Sequence, residues 1–218
     1  MEIRGSKLHL RDWKDTDIPS FRDAYSSNTD WLRFDAPFER LPSVADLEAL
    51  CRKKASFIDL PPHAIRTELV IADPVGDRAI GRVSRYWQSE ETNWLSVGIA
   101  VFSASNWGGG IGRESLLLWG NYLFESLPAL PRLDLRTWDG NQRMVALAAS
   151  LGFKEEARFR KARVVEGQHH DALGFGILRE EWVSRGHTAH KGTRVDSTAS
   201  VPVHDSTIVI HHFVGHAR

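Results

Sequence analysis

The chain has 218 residues, enough for one domain with a proper core and a short extension. Its 42% hydrophobic and 26% charged content is an ordinary globular balance. Lys+Arg and Asp+Glu number 28 each, so no net charge exists to recruit nucleic acid, and the single cysteine, Cys51, excludes an internal disulfide.

Met1-Glu2-Ile3-Arg4-Gly5 carries no apolar signal-peptide core, and no apolar run approaches the roughly 18 residues that span a membrane. A soluble, cytoplasmic protein without a membrane partner is expected. Leu8 to Trp13 alternates and predicts a first strand. A helix follows from Asp15 or Asp17 through Phe21, Ala24 and Tyr25. Trp31, Phe34 and Phe38 then fall in an irregular aromatic stretch that ends at Leu41-Pro42. Ser43-Val44-Ala45-Asp46 is a capping-box-like start for a second helix, with Val44, Leu47, Leu50 and Cys51 at helical spacing. Cys51 reads as a small buried residue on that helix rather than a nucleophile.

Past Pro61-Pro62, strands are expected over His63 to Ala72 and Arg78 to Trp87, joined by an Asp73-Pro74-Val75-Gly76-Asp77 turn. Asn93 to Phe102 is the next strand. It runs into Asn106-Trp107-Gly108-Gly109-Gly110-Ile111-Gly112-Arg113, where four glycines fall within five residues. A helix follows, to about Ser126. Strand, bare-backbone loop and helix form a phosphate site: glycines let backbone N–H groups approach an anion, and the helix N-terminus adds partial positive charge. A strand at 132–138 and a helix begun by Asn141 and ended by Gly152 come next. Two strands joined across Glu166-Gly167 close the pattern near Trp182. The strand before the glycine loop, its helix and the strand at 132–138 make a βαβ unit, hence one parallel pair in a sheet otherwise built of hairpins. From residue 183 the chain turns rich in Ser, Thr, His and Val and reads as a tail. Its histidines, His187, His190, His204, His211, His212 and His216, are read as solvated, and no metal site is expected.

Spacing excludes two owners of the glycine loop. No Lys-Ser/Thr follows it, as a nucleoside-triphosphate loop requires, and its glycines do not fit G-x-G-x-x-G. Trp107-Gly108-Gly109-Gly110-Ile111-Gly112 instead resembles the coenzyme A pyrophosphate loop of the GNAT acetyltransferase superfamily, with Trp107 at a position usually held by Gln or Arg. The element order is similar to that fold over residues 6 to 182. Asp139-Gly140-Asn141, Leu151-Gly152-Phe153, Glu155-Glu156 and Gly167-Gln168-His169-His170-Asp171 resemble the branch that contains the ribosomal-protein N-acetyltransferases.

The resemblance implies an α+β GNAT fold over residues 1–182: a central mixed, mostly antiparallel sheet with a splayed parallel strand pair and flanking helices. Residues 183–218 would be a C-terminal extension. Acetyl-CoA would be the cosubstrate. The backbone of Ile99, Ala100 and Val101 would pair with its pantetheine amides. Trp107, Gly108, Gly109, Gly110, Ile111, Gly112 and Arg113 would hold the pyrophosphate, and Asn141 would contact the pantetheine arm while also capping its helix. A primary amine would attack the thioester directly. The branch is often homodimeric, which leaves a homodimer open here. The second reading is a non-catalytic domain that binds CoA as a sensor or scaffold.

Proton-transfer residues do not carry over. The family positions for a Tyr, a Ser and a Glu are Ala148, Met144 and Arg163. Catalytic candidates are therefore Asp171, His170 and Glu91, with Ser96 and Asp35 as further polar groups. Each also has a plain structural reading. A weak base suits an α-amine: with a pKa near 8, roughly a quarter is neutral near pH 7.5, against about one lysine side chain in a thousand. Trp31, Phe34 and Phe38 read as packing between the first helices or as a wall of the acceptor pocket.

Overall fold

The computed structural model describes residues 1–56, 60–61 and 63–187. The strands are β1 (Glu2–Arg4), β2 (His9–Arg11), β3 (Glu68–Ala72), β4 (Ala79–Ser89), β5 (Trp94–Val101), β6 (Arg132–Trp138), β7 (Lys154–Val165) and β8 (Gln168–Leu178). They form one sheet in the order β1-β2-β3-β4-β5-β6-β8-β7. The β5–β6 pairing is parallel and the others are antiparallel. The helices are α1 (Ile18–Ser26), α2 (Val44–Ala55), α3 (Ile111–Ser126), α4 (Gln142–Leu151) and α5 (Arg179–Ser184).

Period-two alternation decides what each sheet face meets. Leu69, Ile71, Val83, Leu95, Val97, Leu133 and Leu135 point to one face and pack with Leu116, Trp119, Leu123, Leu151 and Trp182 of α3, α4 and α5. On the other face, Val70, Ala72, Ala100 and Phe102 meet Phe21, Ala24, Trp31 and Cys51 from α1, α2 and their connection. Each fully buried Leu or Phe contributes about 1.5–3 kcal/mol. The second core is smaller, and polar sheet residues take over where it ends.

Local signals set several boundaries as expected. Ser43 caps α2 in a reciprocal box with Asp46, Asn141 Oδ1 caps α4 on Met144 N, and Gly152 ends α4 in the left-handed region at φ 88°. Asp73 Oδ1 accepts from Val75 N and Gly76 N to make the β3–β4 turn. Glu166 and Gly167 both take positive φ, which suits a two-residue hairpin.

Four expectations shift. The strand expected over His63 to Ala72 begins only at Glu68. Buried Arg66 bends the chain before it, donating to Pro61 O, Ala64 O and both oxygens of Asp12. A short β1 forms ahead of β2, pairing Ile3 with Leu10. A helix, α5, carries Trp182. Finally, α5 runs on to Ser184, and His187 packs back on the fold, meeting the Trp182 ring edge-on at 4.8 Å and lying 3.1 Å from Leu151 O. His190, His204, His211, His212 and His216 lie outside the described residues.

Gly120, mid-α3, is explained by Trp182: a Cβ there would sit 2.7 Å from Cζ2. Gly120→Ala gains about 1 kcal/mol of helix propensity but overpacks a rigid ring, at about 1–3 kcal/mol. A lower urea midpoint is expected; a higher one would mean Trp182 is not seated on this helix.

Candidate functional site

β5 and β6 pair at only three positions, Trp94↔Arg132, Leu95↔Leu133 and Ser96↔Asp134. Beyond them β5 stays with β4 to Val101, and β6 stays with β8 to Trp138. The sheet therefore opens as a V. Its closed end is pinned by buried Asp134, whose Oδ2 accepts from Trp94 Nε1 at 2.5 Å and Oδ1 from Arg132 Nε at 2.6 Å. A cleft of about 990 Å³ occupies the open end.

One half of the cleft is made by β5, the glycine loop and α4. Ile99, Ala100, Val101, Trp107, Gly108, Gly110, Gly112, Arg113 and Asn141 all line it. Gly109 and Ile111 are not among the lining residues. The β6-facing backbone of residues 97–101 has no ladder partner among the described residues. Gly108 and Gly110 sit at φ 78° and 87°, where a side chain is strained. Gly110 caps α3 with no side-chain acceptor, which leaves the first helical N–H groups to the cleft. Gly112 lets α4 approach, since a Cβ would stand 3.2 Å from Leu147 Cδ2.

The Trp107 side chain holds the loop rather than facing an anion as a Gln or Arg there would. Its Nε1 donates to Val101 O at 2.9 Å, and its ring meets Phe34 edge-on. Arg143 lies over both rings, at 4.5 Å from Trp107 and 4.6 Å from Phe34. Asn141 Nδ2 donates to Phe34 O, and Trp138 Nε1 donates to the same oxygen. These bonds tie the 34–39 segment to the α4 side of the cleft.

The other half is polar. Arg82, Ser84, Tyr86 and Gln88 line it from β4, with Glu68 from β3, Arg136 from β6, Arg163 from β7, and Asp35, Phe38 and Glu39 from the segment before α2. Glu68 holds both Lys54 and Arg82, the latter at 2.9 Å. Burial pushes the Glu68 carboxyl up, but these two cations more than offset it and hold it below the usual carboxylate range. Burial draws the Lys54 ammonium down to about 8 against the pull of Glu68. Burial also raises the Tyr86 phenol, which shares a hydrogen bond with Ser96; Ser96 is itself buried and accepts from Gln88 Nε2 at 3.0 Å. Gly98, opposite Ser84 on β5, leaves this face open: its Cβ would stand 2.9 Å from Ser84 Oγ.

None of Asp171, His170 and Glu91 lines the cleft. Asp171 accepts from Lys161 N at 2.9 Å and Arg158 Nη1 at 3.1 Å, and these partners hold its carboxyl below the usual range. It clamps an irregularity in β7 between Phe159 and Arg163. His170 Nδ1 is paired with Asp139 Oδ1 at 2.8 Å, its ring set edge-on to Trp138. Glu91 is exposed in the β4–β5 turn, where it accepts from Ser89 Oγ. Asp35 does line the cleft. Of the aromatics, Trp31 is core packing that also reaches the cleft, while Phe34 and Phe38 are wall. Position 148 is fully buried in the α3–α4 core, so a side chain there does not face the cleft. Alternate polar residues at 82, 84, 86 and 88 were the sequence signal for the polar half: a strand with one apolar and one polar face.

A mixed sheet parted at a parallel pair, with a glycine loop and helix beside the gap, defines the GNAT class of fold. The chain belongs to that family: the model of the acetyltransferase (GNAT) domain matches residues 7–154. It is 36% identical over 61 residues to YdaF of Bacillus subtilis (strain 168), which is named as a ribosomal N-acetyltransferase; the match covers 28% of this chain and 33% of that one. It is 25% identical over 112 residues to the prophage-derived N-acetyltransferase YokL of the same organism, covering 51% and 62%. The chain thus matches less than two thirds of either relative. Similar folds include the ribosomal-protein-S5-alanine acetyltransferase of Vibrio fischeri, with TM-score 0.68, 20% identity and coverage of 84% and 98%. The spermidine N-acetyltransferase of Vibrio cholerae, solved with CoA and spermine, has TM-score 0.65, 21% identity and coverage of 82% and 99%.

The Glu68 cluster sets an acid limit on stability. Its carboxyl binds a proton less readily folded than unfolded, so its contribution is present above the ordinary carboxylate pKa and is lost as pH falls below it. Glu68→Gln leaves Lys54 and Arg82 without the carboxylate they share, at about 3–5 kcal/mol. Urea titrations should show that loss at pH 7 and a shrinking gap from wild type below about pH 4.3. A gap independent of pH would refute the electrostatic account.

Proposed function

We propose that the chain transfers an acetyl group from acetyl-CoA to a primary amine within a ternary complex. The observation that carries this is the V between β5 and β6, flanked by a helix-capping glycine loop and opening on a polar sheet face. Pantetheine amides would complete the unpaired edge at Ile99 to Val101, as a strand completes a sheet. N–H groups of the loop and of the first turn of α3 would hold the pyrophosphate, with Arg113 and Arg143 adding charge. Asn141, one hydrogen already committed to Phe34 O, has a second to offer the pantetheine arm.

The neutral amine nitrogen forms a C–N bond to the thioester carbon, and the carbonyl oxygen becomes an oxyanion that backbone N–H groups stabilise. The oxyanion collapses, the C–S bond breaks, and CoA leaves as a thiolate that takes up a proton. The new amide nitrogen loses one. In this reading the proton roles pass from Asp171, His170 and Glu91 to groups that line the cleft. Tyr86, a phenol that lines the cleft and that burial raises further above its ordinary value, would be the donor for the thiolate. The name YdaF carries, a ribosomal N-acetyltransferase, fits an amine on a protein, and the α-amine is the protein amine with a sizeable neutral fraction near pH 7.5.

The assay is thiol release from acetyl-CoA with N-terminal peptides, alongside peptides whose only free amine is a lysine side chain. Release is expected with the α-amine set. Release confined to lysine side chains overturns the α-amine assignment, and acetyl-CoA binding without release on any amine overturns acetyl transfer. Gly110→Val forces a β-branched residue to φ 87° at about 1–3 kcal/mol and places its Cβ within 2.9 Å of Lys7 Nζ. Acetyl-CoA affinity measured by calorimetry should fall at least about tenfold. Unchanged affinity in a folded variant would remove the loop from the site.

A further inference from the structure

The polar half of the cleft has a charge balance that selects among amines. Outside the glycine loop, α3 and α4, five cationic side chains line it against three carboxylates. Glu68 answers Lys54 and Arg82. Arg136 and Arg163 have no carboxylate partner among the described residues. A polyamine would bring two or more ammonium groups into this field, and each would meet repulsion.

Arg163 is held in a defined pose. The irregularity in β7, with Lys161 at φ 56° and its N–H on Asp171, sets where the residue points. Its guanidinium lies over the Phe38 ring at 4.5 Å, and Nη1 donates to Ala162 O at 3.1 Å. Nε is buried and has no acceptor among the described residues. With Nη1 engaged, Nε and Nη2 remain as two parallel N–H groups that match two oxygens of a carboxylate or a phosphate, the Nε group being covered in this structure. A desolvated donor without an acceptor is a standing cost that an anion at this edge would remove.

We infer that the acceptor is a primary amine carrying an anionic group, with Arg163 as the anchor for that group and Arg136 adding to the field. This rests on the acetyl-transfer reading and narrows it. Because Nε is buried, engaging both N–H groups requires the side chains over it to move, and the charge-assisted pair offsets that movement. The anionic end is drawn to Arg163, and the amine is left to approach the V, where the thioester would lie.

The test uses the full chain, saturating acetyl-CoA and acceptors of matched α-amine pKa: the amides of alanyl-aspartate, alanyl-asparagine and alanyl-lysine, with spermidine and aminomethylphosphonate beside them. The kcat/KM for alanyl-aspartate amide should exceed that for its asparagine isostere at least tenfold, with alanyl-lysine amide and spermidine lower still. In Arg163→Gln the aspartate-to-asparagine ratio should collapse toward one, and Arg163→Lys should restore part of it. A response to the phosphonate but not to aspartate would make the anion a phosphate-like group, still within the proposal. Equal rates for aspartate and asparagine together with no response to the phosphonate, faster spermidine, or an anion preference, for aspartate or phosphonate, that survives in a folded Arg163→Gln overturns it. Acetyl-CoA binding with no release on any amine instead overturns acetyl transfer itself, which keeps the two failures distinct.

Discussion

Asp134 is a buried carboxylate with two charge-assisted jobs, and the site depends on it. It accepts from Trp94 at the start of β5 and from Arg132 at the start of β6, so the parallel strands are fastened at one end. Three pairs later they part, and each keeps its outer partner: β4 for β5 and β8 for β6. A gap in mid-sheet leaves backbone N–H and C=O groups without a ladder, a costly state that an extended ligand with amide groups relieves. The cleft is thus a vacancy in the hydrogen-bond pattern as much as a hole in the packing.

The two halves of that cleft rest on different physics. On the loop side the backbone does the work: positive-φ glycines, uncapped helical N–H groups and an unpaired strand edge. Side chains there, such as Trp107, serve to hold the backbone in place. On the sheet side the side chains do the work, in ion pairs and polar contacts over β3 and β4. Phe34 joins the halves. Its carbonyl accepts from Trp138 and Asn141, and its ring carries Arg143, so the 34–39 wall and the loop side are mechanically linked. A change in one is expected to be felt in the other through this segment.

Much of the fold was legible because its signals are local. The Ser43 box, the Asn141 cap, Gly152 and the Glu166-Gly167 turn each act within four residues, and all appear where the pattern places them. The loop was legible for the same reason, since glycine spacing is read along one strand–helix junction. The strand boundary at Glu68 was not, because Arg66 bends the chain toward Asp12, 54 residues away. The three proton-transfer candidates were read from positions on a hairpin and a turn. The surroundings of Asp171 and His170, however, are set by the β7 irregularity and by Asp139, neither of which has a marker in the residues themselves, while Glu91 stays exposed in its turn.

The chain's own order of residues therefore determined the elements, their caps, the parallel crossover and the glycine loop, since periodicity and backbone chemistry act over short distances. Only the tertiary structure decided which polar groups share the cleft. Glu68, Tyr86, Arg136 and Arg163 come from four strands, and their meeting depends on register, on where β5 and β6 separate, and on a bulge that re-aims a single arginine. Those are long-range packing outcomes, and no local pattern encodes them.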